Sequence, residues 1–307
     1  MRRFLVLSLL AFLSSQTLLW AADGPTVKIA SFNILRLGQD GYDAKRDWDK
    51  TVEVLVQFDI VSLLEVIKED GVQTLLEKVM TRDGRDWECV SGRAVGRGSY
   101  KEHYTFIWRD EDIDLVGGSE GAYPDDGDLL EREPYFATFR AGSFDFTLVA
   151  VHSYYGDATA DRQAEARLVD DVFLYVQGLD PDEDDVILMG DFDLSVSDGA
   201  WSEMEEIPAI VHLFPGTFKT TLGTNNKRSS AYDNIWLQTF YTSEYTGKQG
   251  AYDFDDELYP GIVDAFKVAR SEISDHVPVW ATFCADQDDD GLTAVPTVSW
   301  GKVKGDY

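Results

Sequence analysis

Between about residue 27 and residue 284, short runs of β-branched and aromatic residues alternate with amphipathic stretches. Residues 27–32, 60–64, 87–90, 104–108, 135–139, 144–151, 186–189, 235–237 and 277–283 read as strands, because three to eight residues rich in β-branched and aromatic types stand together there. Helical spacing occupies 45–58, where Trp48, Val52 and Leu55 share one face, and also 72–79 and 160–176. Strands interleaved with helices in this way predict an α/β fold in a single domain. No repeat of fixed period is present.

The ends of the chain break the pattern. Arg2 and Arg3 precede a ten-residue run at 4–13 that is apolar except for Ser8, and the small residues Ala21 and Ala22 follow. Ten residues are too few to span a bilayer, so 1–22 reads as a secretory signal and the protein as one exported to the periplasm or the medium. Residues 23–284 form the expected domain, and 285–307 an acidic tail. Within that tail Asp286, Asp288, Asp290 and Gly291 imitate the start of an EF-hand loop, but Thr297 stands where a bidentate Glu is wanted; calcium binding and a solvated linker both stay open.

Composition narrows the function. A chain of 307 residues with 44% hydrophobic content supports a substantial core, which excludes disorder. Lys and Arg number 27 against 56 Asp and Glu, a net charge of −29. Such a surface repels nucleic acid and anionic membrane unless bound cations reverse the local field, so a passive basic DNA-binding module is excluded. Cys89 and Cys284 are the two cysteines; an oxidising compartment permits one pairing, which spacing does not decide. No spacing resembles a zinc site.

The chemistry gathers where strands end. Residues 27–32 lead into Asn33, 60–64 into Glu65, 144–151 into His152, and 186–189 into Gly190-Asp191-Phe192-Asp193. Ser274-Asp275-His276 leads into the last strand. Polar groups just past strand ends of a layered α/β protein collect at one rim, where ligands bind. Asn33, Glu65, Asp191 and Asp275 are hard oxygen donors suited to Mg²⁺ or Mn²⁺, and His152 and His276 suit one general acid and one general base. His212, in an apolar run, reads as a packed imidazole, and His103 points away from Glu102 by strand alternation.

At this point a family resemblance becomes specific. SFNILRLG from Ser31, DIVSLLEV from Asp59, GRGSYKEHYTFIWR from Gly96, EREP from Glu131, VHS from Val151, LMGDFD from Leu188, AYDNI from Ala231 and SDHVPV from Ser274 resemble deoxyribonuclease I, of the endonuclease/exonuclease/phosphatase superfamily. The matches run in family order over about 27–283. The resemblance implies a four-layer α/β sandwich, two packed mixed β-sheets flanked by helices. It implies a secreted, divalent-metal-dependent endonuclease acting as a monomer on DNA, double-stranded by expectation, with no membrane partner. His152 with Glu102 and His276 with Asp233 are the implied His–carboxylate pairs, His276 as base and His152 as acid to the leaving 3′ oxygen. Asn33, Glu65, Asp191 and Asp275 are the implied Mg²⁺ (or Mn²⁺) ligands. Arg132 is expected on a phosphate oxygen and Tyr100 against a sugar in the minor groove. Structural Ca²⁺ is expected, if anywhere, at Asp126, Asp128 and Glu133.

The sequence also departs from the family pattern. Asp193 stands where the GDFN motif has an amide, and an ionised carboxylate cannot donate a hydrogen bond. It therefore acts as a further ligand, is held protonated, or leaves the site slow. Ile67 replaces a minor-groove arginine, with Lys68 as neighbour, and Asn234 replaces the arginine of a YDR motif. Val196 and Ser230 replace the family's structural disulfide, and Lys227 and Arg228 argue against its second calcium site. Two other readings keep the fold: a sphingomyelinase-like phosphodiesterase or phosphatase, and a catalytically impaired binding protein.

Overall fold

A computed structural model describes residues 24–288 except 157 and 182. The signal reading at 1–22, and Asp290, Gly291 and Thr297 of the tail, lie outside the described residues. The strands are β1 (Thr26–Leu37), β2 (Ile60–Val66), β3 (Trp87–Ser91), β4 (His103–Arg109), β5 (Asp114–Leu115), β6 (Gly121–Ala122), β7 (Tyr135–Ala141), β8 (Phe144–His152), β9 (Val186–Asp191), β10 (Ile210–His212), β11 (Asp233–Gln238), β12 (Tyr245–Ala251) and β13 (Val279–Cys284). The helices are α1 (Asp40–Asp43), α2 (Trp48–Leu55), α3 (Glu69–Asp83), α4 (Thr159–Ala166), α5 (Val169–Gln177), α6 (Ser202–Glu205), α7 (Phe254–Glu257) and α8 (Ala265–Glu272).

The strands make two mixed sheets. One runs β12-β13-β1-β2-β4-β3; the other runs β10-β11-β9-β8-β7-β5, with β6 also on β7. Each has a single parallel pair near its middle, β1 with β2 and β8 with β9, and antiparallel neighbours elsewhere. Alternation explains how they stack. Ile29, Phe106, Trp108 and Phe283 of the first sheet meet Phe139, Phe144, Phe146 and Leu148 of the second in an inner core. Trp108 lies edge-on to Phe139 with ring centroids 5.2 Å apart, and Phe144 stacks on Phe283 at 5.6 Å. The opposite residues, such as Phe32 and Leu63, pack against Val52 and Leu55 of α2 and Leu75 of α3. On the other sheet Val149, Leu188 and Trp236 pack against Val172 and Phe173 of α5. This is the expected four-layer α/β sandwich. Truncating an inner-core ring such as Phe139 to Ala costs about 3–5 kcal/mol.

Several boundaries differ from the sequence reading for local reasons. The helix expected at 45–58 begins only at Trp48, because Asp47 caps it by accepting from the Lys50 amide. The helix expected at 72–79 runs from Glu69 to Asp83 and stops at left-handed Gly84. The stretch 160–176 is two helices, broken where the Leu168 amide donates to Glu165 three residues back rather than four. The last strand starts at Val279, after Pro278, which has no amide hydrogen to donate. Cys89 on β3 and Cys284 on β13 are both free thiols. Three strands separate them in the sheet, about 19 Å at the usual strand spacing, which excludes a disulfide between them.

Candidate active site

The two parallel pairs deliver the chemistry. β1 carries Asn33, β2 carries Glu65, and β8 and β9 end on His152 and Asp191, which lie opposite each other in register. Asp233 opens β11 directly across from Asp191. The loop before β13 supplies Asp275 and His276. Glu65, His152, Asp191, Asp275 and His276, with Arg36, Tyr100, Arg132 and Asp193, surround one open cavity of about 540 Å³, and Asn33, Glu102 and Asp233 support it from behind.

Nδ1 of His152 lies 2.6 Å from Oε1 of Glu102, and Nδ1 of His276 lies 2.8 Å from Oδ2 of Asp233. All four side chains are buried. Each carboxylate is fixed from behind: Glu102 by Nε of Arg132 at 3.2 Å, Asp233 by the Thr220 hydroxyl at 2.6 Å. The free imidazole nitrogens converge on one oxygen, Oδ2 of Asp191, at 3.4 Å from Nε2 of His276 and 3.8 Å from Nε2 of His152. Burial disfavours a charged imidazole, but the Glu102 carboxylate outweighs it and lifts His152 to about 9. His276 is likewise raised well above its ordinary value, burial being overcome by Asp233 and Asp191.

Of the expected metal donors, Glu65, Asp191 and Asp275 line the cavity without converging as one carboxylate group, and Asn33 stands beside two of them. The Asn33 amide nitrogen bridges Oε1 of Glu65 at 3.1 Å and Oδ2 of Asp191 at 3.2 Å, while its oxygen accepts from the Leu35 amide. Asn33 is thus a clamp on two carboxylates. Asp275 is held by Arg270 at 3.0 Å. Ligand atoms that do converge within 4.8 Å belong to His152, Asp191 and Asp193, and to Asp191, Asp233 and His276. The donor chemistry fits a hard divalent cation: burial, with Glu102 and Asp275 nearby, raises the Glu65 carboxyl, and burial with Asp191 raises Asp193. Carboxylates that resist one another's ionisation are relieved by a cation among them.

Four of the eight non-glycine left-handed residues among the described residues lie at this site. Leu35, Arg36, Glu65 and Asp193 all have left-handed backbones, with φ of 58°, 50°, 59° and 50°. Asn and Asp tolerate that region better than most residues, so position 193 accepts either side chain without changing the turn. The pair at 35–36 shifts the β1–β2 register between Asn33 and Leu37 and turns Arg36 into the cavity, its guanidinium 5.2 Å from the centre of the Tyr100 ring. Arg132 lies over the same ring at 5.7 Å. Strain of this kind, about 1–3 kcal/mol per residue, persists where the surroundings over-determine it.

Sequence reasoning missed three groups. Arg36 depends on the bulge. Arg162 of α4 donates to the Asp193 carbonyl at 3.2 Å and so braces the turn carrying Asp193. Glu165, buried on the same helix, accepts from the amides of Glu131 at 2.5 Å and Tyr154 at 2.7 Å, joining the loop of Arg132 to the loop after His152. A signal existed only in the alternation of Arg162 and Glu165 across one helical turn.

Other expected positions lie elsewhere. Asp126, Asp128 and Glu133 form no converging group among the described residues; Arg97 holds Asp128 at 3.1 Å and Arg93 holds Glu133 at 2.8 Å. Asn234 turns inward and exchanges two hydrogen bonds with the Phe214 backbone. Lys68 pairs with exposed Asp40 at 3.0 Å. Arg228, in the loop with Lys227, pairs with Asp253 and buried Asp255 at 2.7 and 2.6 Å. Val196 packs in the outer core while Ser230 lines the cavity. His212 packs edge-on to Trp236, and His103 faces the Gly92 carbonyl at 2.8 Å.

No protein-family profile matches the chain. A deoxyribonuclease of Thioalkalivibrio sp. (strain K90mix) is 30% identical over 274 residues, covering 87% of this chain and 74% of that protein. Deoxyribonuclease-1 of Equus caballus is 30% identical over 270 residues, covering 84% and 92%. Among solved structures, an endonuclease/exonuclease/phosphatase family protein from Bacteroides thetaiotaomicron superposes with a TM-score of 0.53 over 84% of this chain and 97% of its own, at 16% identity, a likeness of fold.

Proposed function

The chain belongs to the deoxyribonuclease I-like family of the endonuclease/exonuclease/phosphatase superfamily, metal-dependent nucleases and phosphodiesterases, and from that premise we propose that it is a secreted endonuclease hydrolysing the phosphodiester bonds of DNA. The observation that carries this reading is the pair of His–carboxylate dyads facing one carboxylate oxygen from two sides. Two imidazoles across a space of that width match the two proton transfers of phosphodiester hydrolysis.

In this reading a water oxygen bonds to phosphorus as the bond from phosphorus to the 3′ oxygen breaks. Nε2 of His276 takes the water proton, and Nε2 of His152 gives its proton to the departing 3′ oxygen. A value near 9 keeps His152 protonated at neutral pH, as an acid must be. Glu102 and Asp233 fix the tautomers through Nδ1. Arg132 and Arg36 present fixed donors to phosphate oxygens, and Tyr100 packs between them and the sugar. A divalent cation, Mg²⁺ or Mn²⁺, taken up by Asp191 with the carboxylates beside it, Glu65 and Asp193, would supply positive charge to the phosphoryl oxygens and offset the Asp191 charge that, after Asp233, raises His276.

Asp193 favours a second reading, a catalytically impaired relative retained for binding, since its carboxylate stands close to Asp191 and His152. Nicking of supercoiled plasmid by residues 23–307 in Mg²⁺ plus Ca²⁺, beside an EDTA control, separates the two. Cleavage abolished by EDTA is expected. Inertness on DNA together with turnover of sphingomyelin or a phosphomonoester would move the substrate elsewhere, and inertness on all of them would leave the binding reading.

A further inference from the structure

Net charge of −29 makes the cavity rim unusual, because four arginines, 36, 132, 162 and 270, crowd around it. Three tyrosines, 100, 155 and 232, accompany them. Tyr100 already carries the guanidinium groups of Arg36 and Arg132 against its ring. Tyr155, in the loop after His152, lines the same cavity but is 65% exposed.

Arg162 accounts for its position. Nη1 of Arg162 donates to the Asp193 carbonyl at 3.2 Å and to the Tyr232 hydroxyl at 3.1 Å, and Nη2 to the Thr159 hydroxyl at 3.3 Å. The guanidinium so fixed lies 5.7 Å from the centre of the Tyr155 ring. A large ring kept in water beside the cavity, backed by an immobilised cation, has the form of a stacking platform. Inside a duplex a base has both faces covered by its neighbours; an unpaired base has one to offer.

We propose that Tyr155, backed by Arg162, is a nucleobase-stacking subsite that holds an unpaired base next to the scissile phosphate. The inference rests on the nuclease reading and deepens it: single-stranded or locally unpaired DNA is gripped at this edge, whereas fully paired DNA gains nothing from Tyr155.

The test is equilibrium binding, independent of cleavage. Fluorescein-labelled oligothymidylate of ten nucleotides and a ten-unit deoxyribose-phosphate chain without bases carry the same charge. Their Kd values are measured by anisotropy in Mg²⁺ at low salt, both strands carrying phosphorothioate linkages that resist cleavage, with the wild-type protein, Tyr155→Phe and Tyr155→Ala. The wild type and Tyr155→Phe are expected to bind the base-bearing strand about tenfold more tightly than the bare chain, and Tyr155→Ala to bind the two alike. Wild-type binding indifferent to bases, no measurable wild-type binding, or a base preference undiminished in Tyr155→Ala would overturn the subsite. A base preference lost with Tyr155 in a protein that nicks no plasmid would instead sink the nuclease reading and keep the subsite.

Discussion

Nδ1 of His152 and Oε1 of Glu102 are 2.6 Å apart in a buried pair, and the other Glu102 oxygen faces Nε of Arg132 at 3.2 Å. One carboxylate therefore sets the protonation of the imidazole and the position of the guanidinium together. As His152 is raised to about 9, activity that needs its proton is held at neutral pH and lost as pH rises through about 9. Glu102→Gln removes the raising charge, so the alkaline limb of kcat should move to lower pH and kcat at pH 7.5 should fall about 10- to 100-fold. A pH–rate profile from pH 6 to 10 checks both, and an unmoved limb contradicts the acid role.

Asp193 crowds the site with charge. Its left-handed backbone suits Asn equally, and the Asp193 amide would still donate to Oδ1 of Asp191 at 3.2 Å. Asp193→Asn should thus keep the fold while restoring a donor and removing a repulsion, raising kcat/KM about tenfold, equivalent to about 1.4 kcal/mol. A fall in kcat/KM accompanied by a higher Mg²⁺ requirement would show that Asp193 is a ligand.

Glu165 touches no reacting atom but positions two loops that do. Gln at this place offers one carbonyl oxygen to two amides and turns its own NH₂ toward the second. Glu165→Gln should lower kcat about tenfold with a smaller change in KM, because Arg132 and His152 lose registration while the rim remains. Glu165→Asp, which keeps both acceptor oxygens, should recover part of the loss. Equal effects of the two on thermal stability, with kcat unmoved, would reduce Glu165 to a structural role.

Far from the cavity, Asp83 is opposed by burial but held at about 2 by hydrogen bonds from Arg109, Arg85 and the Trp87 indole. Its depressed value adds stability above about pH 4 that is lost as pH falls toward 2. Asp83→Asn should cost about 2 kcal/mol at pH 7, and the difference from wild type should shrink at pH 3. Urea unfolding at the two pH values measures this, with nicking per folded molecule expected to be unchanged.

What the sequence made legible follows from where the information sits. Asn33, Glu65, His152 and Asp191 were visible because β-branched runs end beside them, and parallel pairing alone brings such ends together. β12 was invisible: TGKQGA has two glycines and little alternation, and it is an edge strand half open to water. Arg36 escaped notice because its direction depends on two consecutive left-handed residues. Glu165 and Arg162 act only once α4 is docked on the loops, a tertiary event with no local pattern.

The central claim is that two opposed imidazoles carry hydrolysis of DNA. It is tested most directly by the nicking rate of supercoiled plasmid in Mg²⁺ for the wild type, His276→Ala and His152→Ala at equal folded concentration. The account predicts losses of about 10²- to 10⁴-fold in each variant. Nicking at the wild-type rate in either one would contradict it.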